Sequence, residues 1–189
     1  MRRFILTQWI LSIALFHGLL HAHVGEHPSI HDTVASITVR MKSSFTEQEL
    51  KSLTAFQVEQ FLNAEEKAIL SNEHIHFKVN VPVVVSIIRD RSLKSQPFWI
   101  RENGWTLTGL VMKVKDVEVD VWQKSFPAGG IGLGVNSLGT GGVHYIPLLK
   151  PQNEGDLIEV SNIYPGQIKA AISKDGVKLY SDQEDTLPT

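Results

Sequence analysis

The chain has 189 residues, with 18 Lys and Arg against 20 Asp and Glu, a formal net charge of -2 and 42% hydrophobic residues, enough for one globular domain. A balanced charge gives no sequence-independent pull toward phosphates, which disfavours nucleic-acid binding through a basic face. The absence of cysteine removes disulfide frameworks, thiol chemistry and Cys-based zinc or iron-sulfur sites.

Arg2 and Arg3 precede a mostly apolar stretch from Phe4 to Leu20, densest from Trp9 to Phe16. Polar interruptions at Thr7, Gln8, Ser12 and His17 leave it short of the roughly 20 apolar residues of a spanning helix. The pattern predicts a signal peptide over 1–22 with Ala22 at the cleavage edge, no stable membrane span after cleavage, and export to the periplasm or the extracellular space.

From Ser29 onward a cap-type residue is followed three positions later by an acid or Gln: Ser29 with Asp32, Thr46 with Glu49, Thr54 with Gln57, and Asn63 with Glu66. Each pair fits or approximates a capping box, which satisfies orphan N–H groups at a helix start. Four short helices are therefore expected in a helical segment over 23–73. Val34, Ile37 and Met41 recur at helical spacing on the first, Leu50 and Leu53 on the second, and Val58, Phe61 and Leu62 on the third. Helices this short do not stand alone in water and must pack on something larger.

After His74 the pattern changes to β-branched runs of period two, punctuated by Pro, Gly and Asn. Strands are expected over 76–81, 83–89, 106–114, 117–126, 131–135, 143–149, 157–162, 168–173 and 177–180. With no helical pattern between them, the fold class is mainly β: an antiparallel immunoglobulin/fibronectin-III-like sandwich over 74–180 with a short N-terminal helical segment. Pro82 marks an edge, a bulge or a strand that switches sheets. Residues 181–189 carry no apolar periodicity and form a linker-like tail.

Five of the eight His fall in the first 31 residues. Cleavage after Ala22 makes His23 the mature N-terminus, whose amine and imidazole suit a copper histidine brace with His144 as distant partner, an arrangement that resembles the start of lytic polysaccharide monooxygenases. His74 and His76 share one face of a strand start, as edge histidines more than as a zinc site. Asp116, Glu118 and Asp120 alternate with Val117, Val119 and Val121; carboxylates about 7 Å apart along a strand do not share one calcium ion without loop ligands, so a solvated face over a buried one is expected.

Seven of the fourteen residues from Gly129 to Gly142 are Gly. No Walker run and no Gly-x-Gly-x-x-Gly leading into a helix is present, so the segment predicts a tight strand, a hairpin tip and close backbone packing. No Gly-x-Ser-x-Gly elbow occurs. Phe98, Trp99, Trp105, Trp122, Phe126, Tyr145 and Tyr164 lie mostly on strand-like segments, where core packing is the default and a carbohydrate or partner platform the sharper reading. The candidate ligand or interface surface is Trp99, Asn136 and His144; no catalytic or metal-ligating residue is assigned.

Six phrases carry a resemblance: HDTV at 31–34, LTAFQV at 53–58, VNVPVVVS at 79–86, PFW at 97–99, VWQKSFPAG at 121–129 and GLGVN at 132–136. From His31 to about Gly166 the chain resembles the N-terminal, non-catalytic region of secreted bacterial metallophosphoesterases related to purple acid phosphatases. The family's dinuclear metal centre uses a set of Asp, Asn and His elements that this sequence does not carry. The resemblance therefore implies an accessory module, inactive and without a cofactor of its own, whose partner is a downstream or separately encoded metallophosphoesterase catalytic domain holding the metals. A stand-alone secreted binding module for a glycan or an envelope partner, and a copper histidine-brace oxidase using mature His23, are the alternative readings.

Overall fold

Each of the four cap-type pairs starts a helix in the computed structural model, which describes residues 29–93, 95–114, 116–138 and 145–181. The helices are α1 (Ile30–Ser44), α2 (Glu47–Ser52), α3 (Ala55–Phe61) and α4 (Ala64–Asn72). Ser29 Oγ accepts from the Asp32 N–H, and the pairs at Thr46, Thr54 and Asn63 close reciprocal capping boxes. Losing such a cap typically costs about 1 kcal/mol. The inward faces differ from the apolar pattern in two places. Val34 is exposed while Thr33 and Ile37 are buried on α1, and the buried residue of α3 is Glu59 rather than Val58 or Phe61.

Glu66 does two jobs at the start of α4. Its carboxylate accepts from the Asn63 N–H at 2.9 Å and from Arg40 Nη1 and Nη2 at 2.8 and 2.7 Å, tying α1 to α4. Arg40 also lies over the Phe61 ring, 4.8 Å from its centroid. The Arg40 hydrogen bonds hold the Glu66 carboxyl below the usual range, against the upward push of burial. A depressed acid stabilises the fold above its unfolded value of about 4.3 and loses that contribution as pH falls through its folded value. Glu66→Gln is expected to cost about 1.5–3 kcal/mol at neutral pH and to flatten the loss of stability below about pH 4.3. Urea unfolding of both proteins across that range checks the sign; parallel pH profiles would contradict it.

The strands are β1 (Ile75–Val79), β2 (Val83–Asp90), β3 (Thr106–Val114), β4 (Val117–Phe126), β5 (Gly129–Leu133), β6 (Ile146–Pro151), β7 (Val160–Tyr164), β8 (Ile168–Ser173) and β9 (Gly176–Ser181), with a short helix α5 (Phe98–Glu102) between β2 and β3. They form two antiparallel sheets, β5-β1-β7 and β3-β4-β2-β6-β9-β8. The fold is mainly β and sandwich-like. Alternate residues of both sheets meet in one core: Phe77, Val79, Ile131 and Leu133 from the smaller, and Val83, Val85, Ile87, Leu149, Val177 and Leu179 from the larger. Ile37, Leu62 and Leu70 of the helices join the same core, the larger body that such short helices require.

Pro82 lies where the chain leaves the small sheet at Val79 and enters the large one at Val83, which selects the sheet switch among its expected roles. Pro147 pairs with Ile87 of β2, and the β9 ladder starts one residue later at Leu148. The missing N–H thus falls where that side of the strand has no β9 partner. Strand β3 is a sheet edge with Leu107, Leu110, Val111 and Met112 exposed. Its register shifts between Leu107 and Val111, where Gly109 takes φ +76 and Thr108 Oγ1 donates to the Val121 carbonyl at 3.0 Å. Such a bulge twists an edge away from further strand pairing.

Two sequence expectations change at this level. A helix, α5, carries Phe98 and Trp99 where no helical pattern is expected between the strands, because Phe98, Trp99 and Ile100 are all buried in consecutive positions, a pattern with no helical period to read. His76 is on β1, the central strand of its sheet and not an edge; its ring stacks on Tyr164 with centroids 5.0 Å apart.

Candidate binding site

The segment 95–102 is held in place by one tryptophan and one arginine. Trp99 is 1% exposed, donates from Nε1 to the Val135 carbonyl at 2.8 Å, and meets Trp105 edge-on at 5.5 Å and Tyr145 at 5.8 Å between ring centroids. The indole lies against Gly134: a Cβ there would come within 2.5 Å of Trp99 Cδ1 and 2.6 Å of the Leu70 carbonyl oxygen. The Tyr145 hydroxyl donates to the Gly134 carbonyl at 2.7 Å, and the Val135 N–H donates to the Leu70 carbonyl at 2.8 Å. The glycine-rich run thus does what its composition predicts here, letting backbone approach a ring and a helix end.

Arg89 at the end of β2 is 6% exposed. Its guanidinium donates to Asn136 Oδ1 at 3.1 Å, to the Leu93 carbonyl at 3.2 Å and to the Ser95 carbonyl at 2.6 Å. Burial lowers its pKa, with Asp90 and Asp120 opposing, yet arginine stays charged at any working pH. A desolvated cation held by neutral acceptors ties Leu93 and Ser95 to the segment leaving β5.

Between these pinned segments and α3 lies a cavity of about 170 Å³. Ala55, Phe56 and Glu59 of α3 form one wall, Pro97, Phe98 and Arg101 a second, and Val135, Ser137 and Leu138 a third, with Ser95 and Gln96 beside them. Glu59 is 5% exposed, and its Oε1 accepts from Arg101 Nη2 at 2.6 Å and lies 3.9 Å from Lys67 Nζ. Among the described residues no hydrogen bond reaches Glu59 Oε2. The hydrogen bond from Glu59 raises the Arg101 pKa, and Arg101 Nη1 also donates to the Gln96 carbonyl at 3.3 Å. Phe56, 64% exposed, is the one large apolar side chain of the lining that faces water to this extent.

Of the expected surface residues, Trp99 is a core residue and offers no ligand face; its indole is spent on Val135, Trp105 and Tyr145. Asn136 is nearly buried between the cavity-lining Val135 and Ser137, where it orients Arg89 rather than meeting solvent. His144 and His23 lie outside the described residues, as do 1–22 and 182–189. His74 lies against Tyr145, with centroids 6.2 Å apart. Val119 and Val121 are buried and Glu118 and Asp120 more open, with Arg91 3.7 Å from each carboxylate. Among the described residues no group of three His, Asp or Glu is placed to share a metal. No described helix is long and apolar enough to cross a membrane.

Phe56, Glu59 and Arg101 were not singled out from the sequence. The Thr54–Gln57 box places Phe56 and Glu59 three apart on one short helix, which is a local signal, but Arg101 is 42 residues from Glu59 and only the tertiary fold brings it there. Comparison with protein-family models, curated proteins and solved structures finds no match.

Proposed function

We propose that the chain is the exported, non-catalytic accessory module of a metallophosphoesterase related to purple acid phosphatases, built as an immunoglobulin- or fibronectin-III-like sandwich with a helical prefix. The catalytic partner, with its dinuclear metal centre, is encoded downstream or separately. The observation that carries this reading is spatial. Three of the phrases behind the resemblance, at 53–58, 97–99 and 132–136, are far apart in sequence yet supply Ala55, Phe56, Pro97, Phe98 and Val135 to a single cavity. Phrases that belong to one module are expected to build a shared feature rather than scatter over unrelated turns.

In this reading the module positions or shapes access to a neighbouring active site, and the Trp99 and Arg89 anchors keep its surface rigid. The purified chain is expected to show no phosphomonoesterase turnover with added Mn, Zn or Fe, and reading the source genome past the Thr189 codon is expected to reveal a frame with the missing Asp, Asn and His metal elements. Metal-dependent turnover abolished by a single substitution, or no such frame in the same or an adjacent gene, would count against it. N-terminal sequencing of the exported protein is expected to begin at His23.

A further inference from the structure

We propose that the cavity between α3, α5 and the segment after β5 is a subsite for one ring of a neutral sugar. The inference does not rest on the accessory-module reading, since it uses only the groups that line the cavity.

The polar end of the cavity is a clamped ion pair. Glu59 is nine-tenths buried and uses Oε1 for Arg101 at 2.6 Å, while Oε2 accepts no hydrogen bond among the described residues. Arg101, 41% exposed, is held by that carboxylate and by the Gln96 carbonyl, with Glu102 Oε1 3.5 Å from Nη2, and a guanidinium carries five N–H donors, more than these contacts use. The end therefore offers an acceptor beside donors, at nearly fixed positions. A hydroxyl is donor and acceptor at once, and neighbouring ring hydroxyls match both partners without a net charge.

Charged ligands fit less well. A cation drawn to Glu59 meets Arg101 and, 3.9 Å from the same carboxylate, Lys67. An anion drawn to Arg101 meets the carboxylates of Glu59 and Glu102 already there. A wholly apolar side chain would bury Oε2 and the remaining guanidinium N–H groups without partners, at a cost for each. The rest of the lining is apolar: Pro97, Phe98, Val135 and Leu138, with Phe56 64% exposed. The C–H face of a sugar ring packs on such a surface, and the exposed Phe56 ring supplies the aromatic face. At about 170 Å³ the space suits a single ring-sized group rather than an extended chain. The walls are pre-organised, because Trp99 and Arg89 hold two of them from behind, so little ordering cost is left for the ligand to offset.

The test is an NMR titration of the purified full chain with glucose, galactose, N-acetylglucosamine and their β-linked disaccharides, with glucuronate and glucosamine as charged controls. At least one neutral sugar is expected to bind saturably, with shifts centred on Phe56, Phe98 and Leu138, and more tightly than either control. Phe56→Ala, at an exposed position, is expected to keep the wild-type melting temperature and weaken binding about three- to tenfold. Glu59→Gln removes the nearer carboxylate partner of Arg101 and leaves Glu102 at 3.5 Å, and is expected to narrow the preference for neutral sugar over glucuronate. Absence of saturable binding by every neutral sugar, or binding unchanged in both variants, overturns the proposal. So does saturable binding of a hydrophobic peptide at this cavity in place of sugar, which would make it a protein-docking pocket.

Discussion

Trp99→Ala is expected to lower the unfolding free energy by about 3–5 kcal/mol, the usual range for removing a buried indole. That is a large share of the 5–15 kcal/mol by which domains are typically stable. The side chain is 1% exposed and contacts Trp105 and Tyr145, so its removal opens a void against two large rings that cannot close it by rotamer change alone. It also strands the Val135 carbonyl that Nε1 satisfies. Gly134→Ala attacks the same contact from the other side. The new methyl meets the indole and the Leu70 carbonyl oxygen, and the latter is backbone at a helix end already engaged by Val135, so overpacking is expected to cost about 1–3 kcal/mol or more. Trp99→Phe keeps most of the volume and loses the donor, and should fall between wild type and Trp99→Ala. Urea denaturation of the three variants checks the order; a Trp99→Ala protein within about 1 kcal/mol of wild type would mean that the site collapses freely, contrary to its packing.

The helical prefix was legible because capping is local: donor, acceptor and the three-residue spacing all lie within one turn, and each cap-type pair opens a helix. The strands were legible for a related reason, since burial on one face writes period two directly into Val117 to Val121 and Gly176 to Ser181. Partnership between strands is not local. Nothing in the run from Val79 to Ser86 states that its two halves enter different sheets, although Pro82 marks the place. Helix α5 was illegible because it is five residues long, lacks a side-chain cap at Pro97 and is buried on consecutive positions. The cavity was hidden for a sharper reason. A charged residue on a short helix reads as solvent-facing, and Glu59 is inside only because Arg101 and Lys67 arrive from later in the chain. Trp99 belongs to the candidate surface read from the sequence, but the bulk of its indole places it in the core, and the exposed aromatic at the cavity is the less conspicuous Phe56.

Arg89→Met is expected to cost about 2–4 kcal/mol through two or three stranded acceptors, less than the 3–5 kcal/mol that follows when half of a buried ion pair is removed. The difference has a physical source. Arg89 is held by the carbonyls of Leu93 and Ser95 and by Asn136 Oδ1, all neutral, with Asp90 and Asp120 acting only through space, so the substitution strands no hydrogen-bonded carboxylate and relieves the cost of burying a charge. Methionine matches the stem in length and polarity but donates nothing, which isolates the hydrogen bonds from the packing. Arg89→Lys keeps the charge on a single ammonium that cannot span three acceptors set in a fork, so it is expected to recover only part of the loss. Because the same acceptors lie on the two segments that wall the cavity, the damage should be local before it is global. Amide hydrogen exchange is expected to rise at Ser95 and from Val135 to Leu138 in Arg89→Met while β2, β4 and β6 stay protected. Uniform loss of protection would place Arg89 in the general core instead, and a stability within about 0.5 kcal/mol of wild type would show that water replaces its hydrogen bonds without cost.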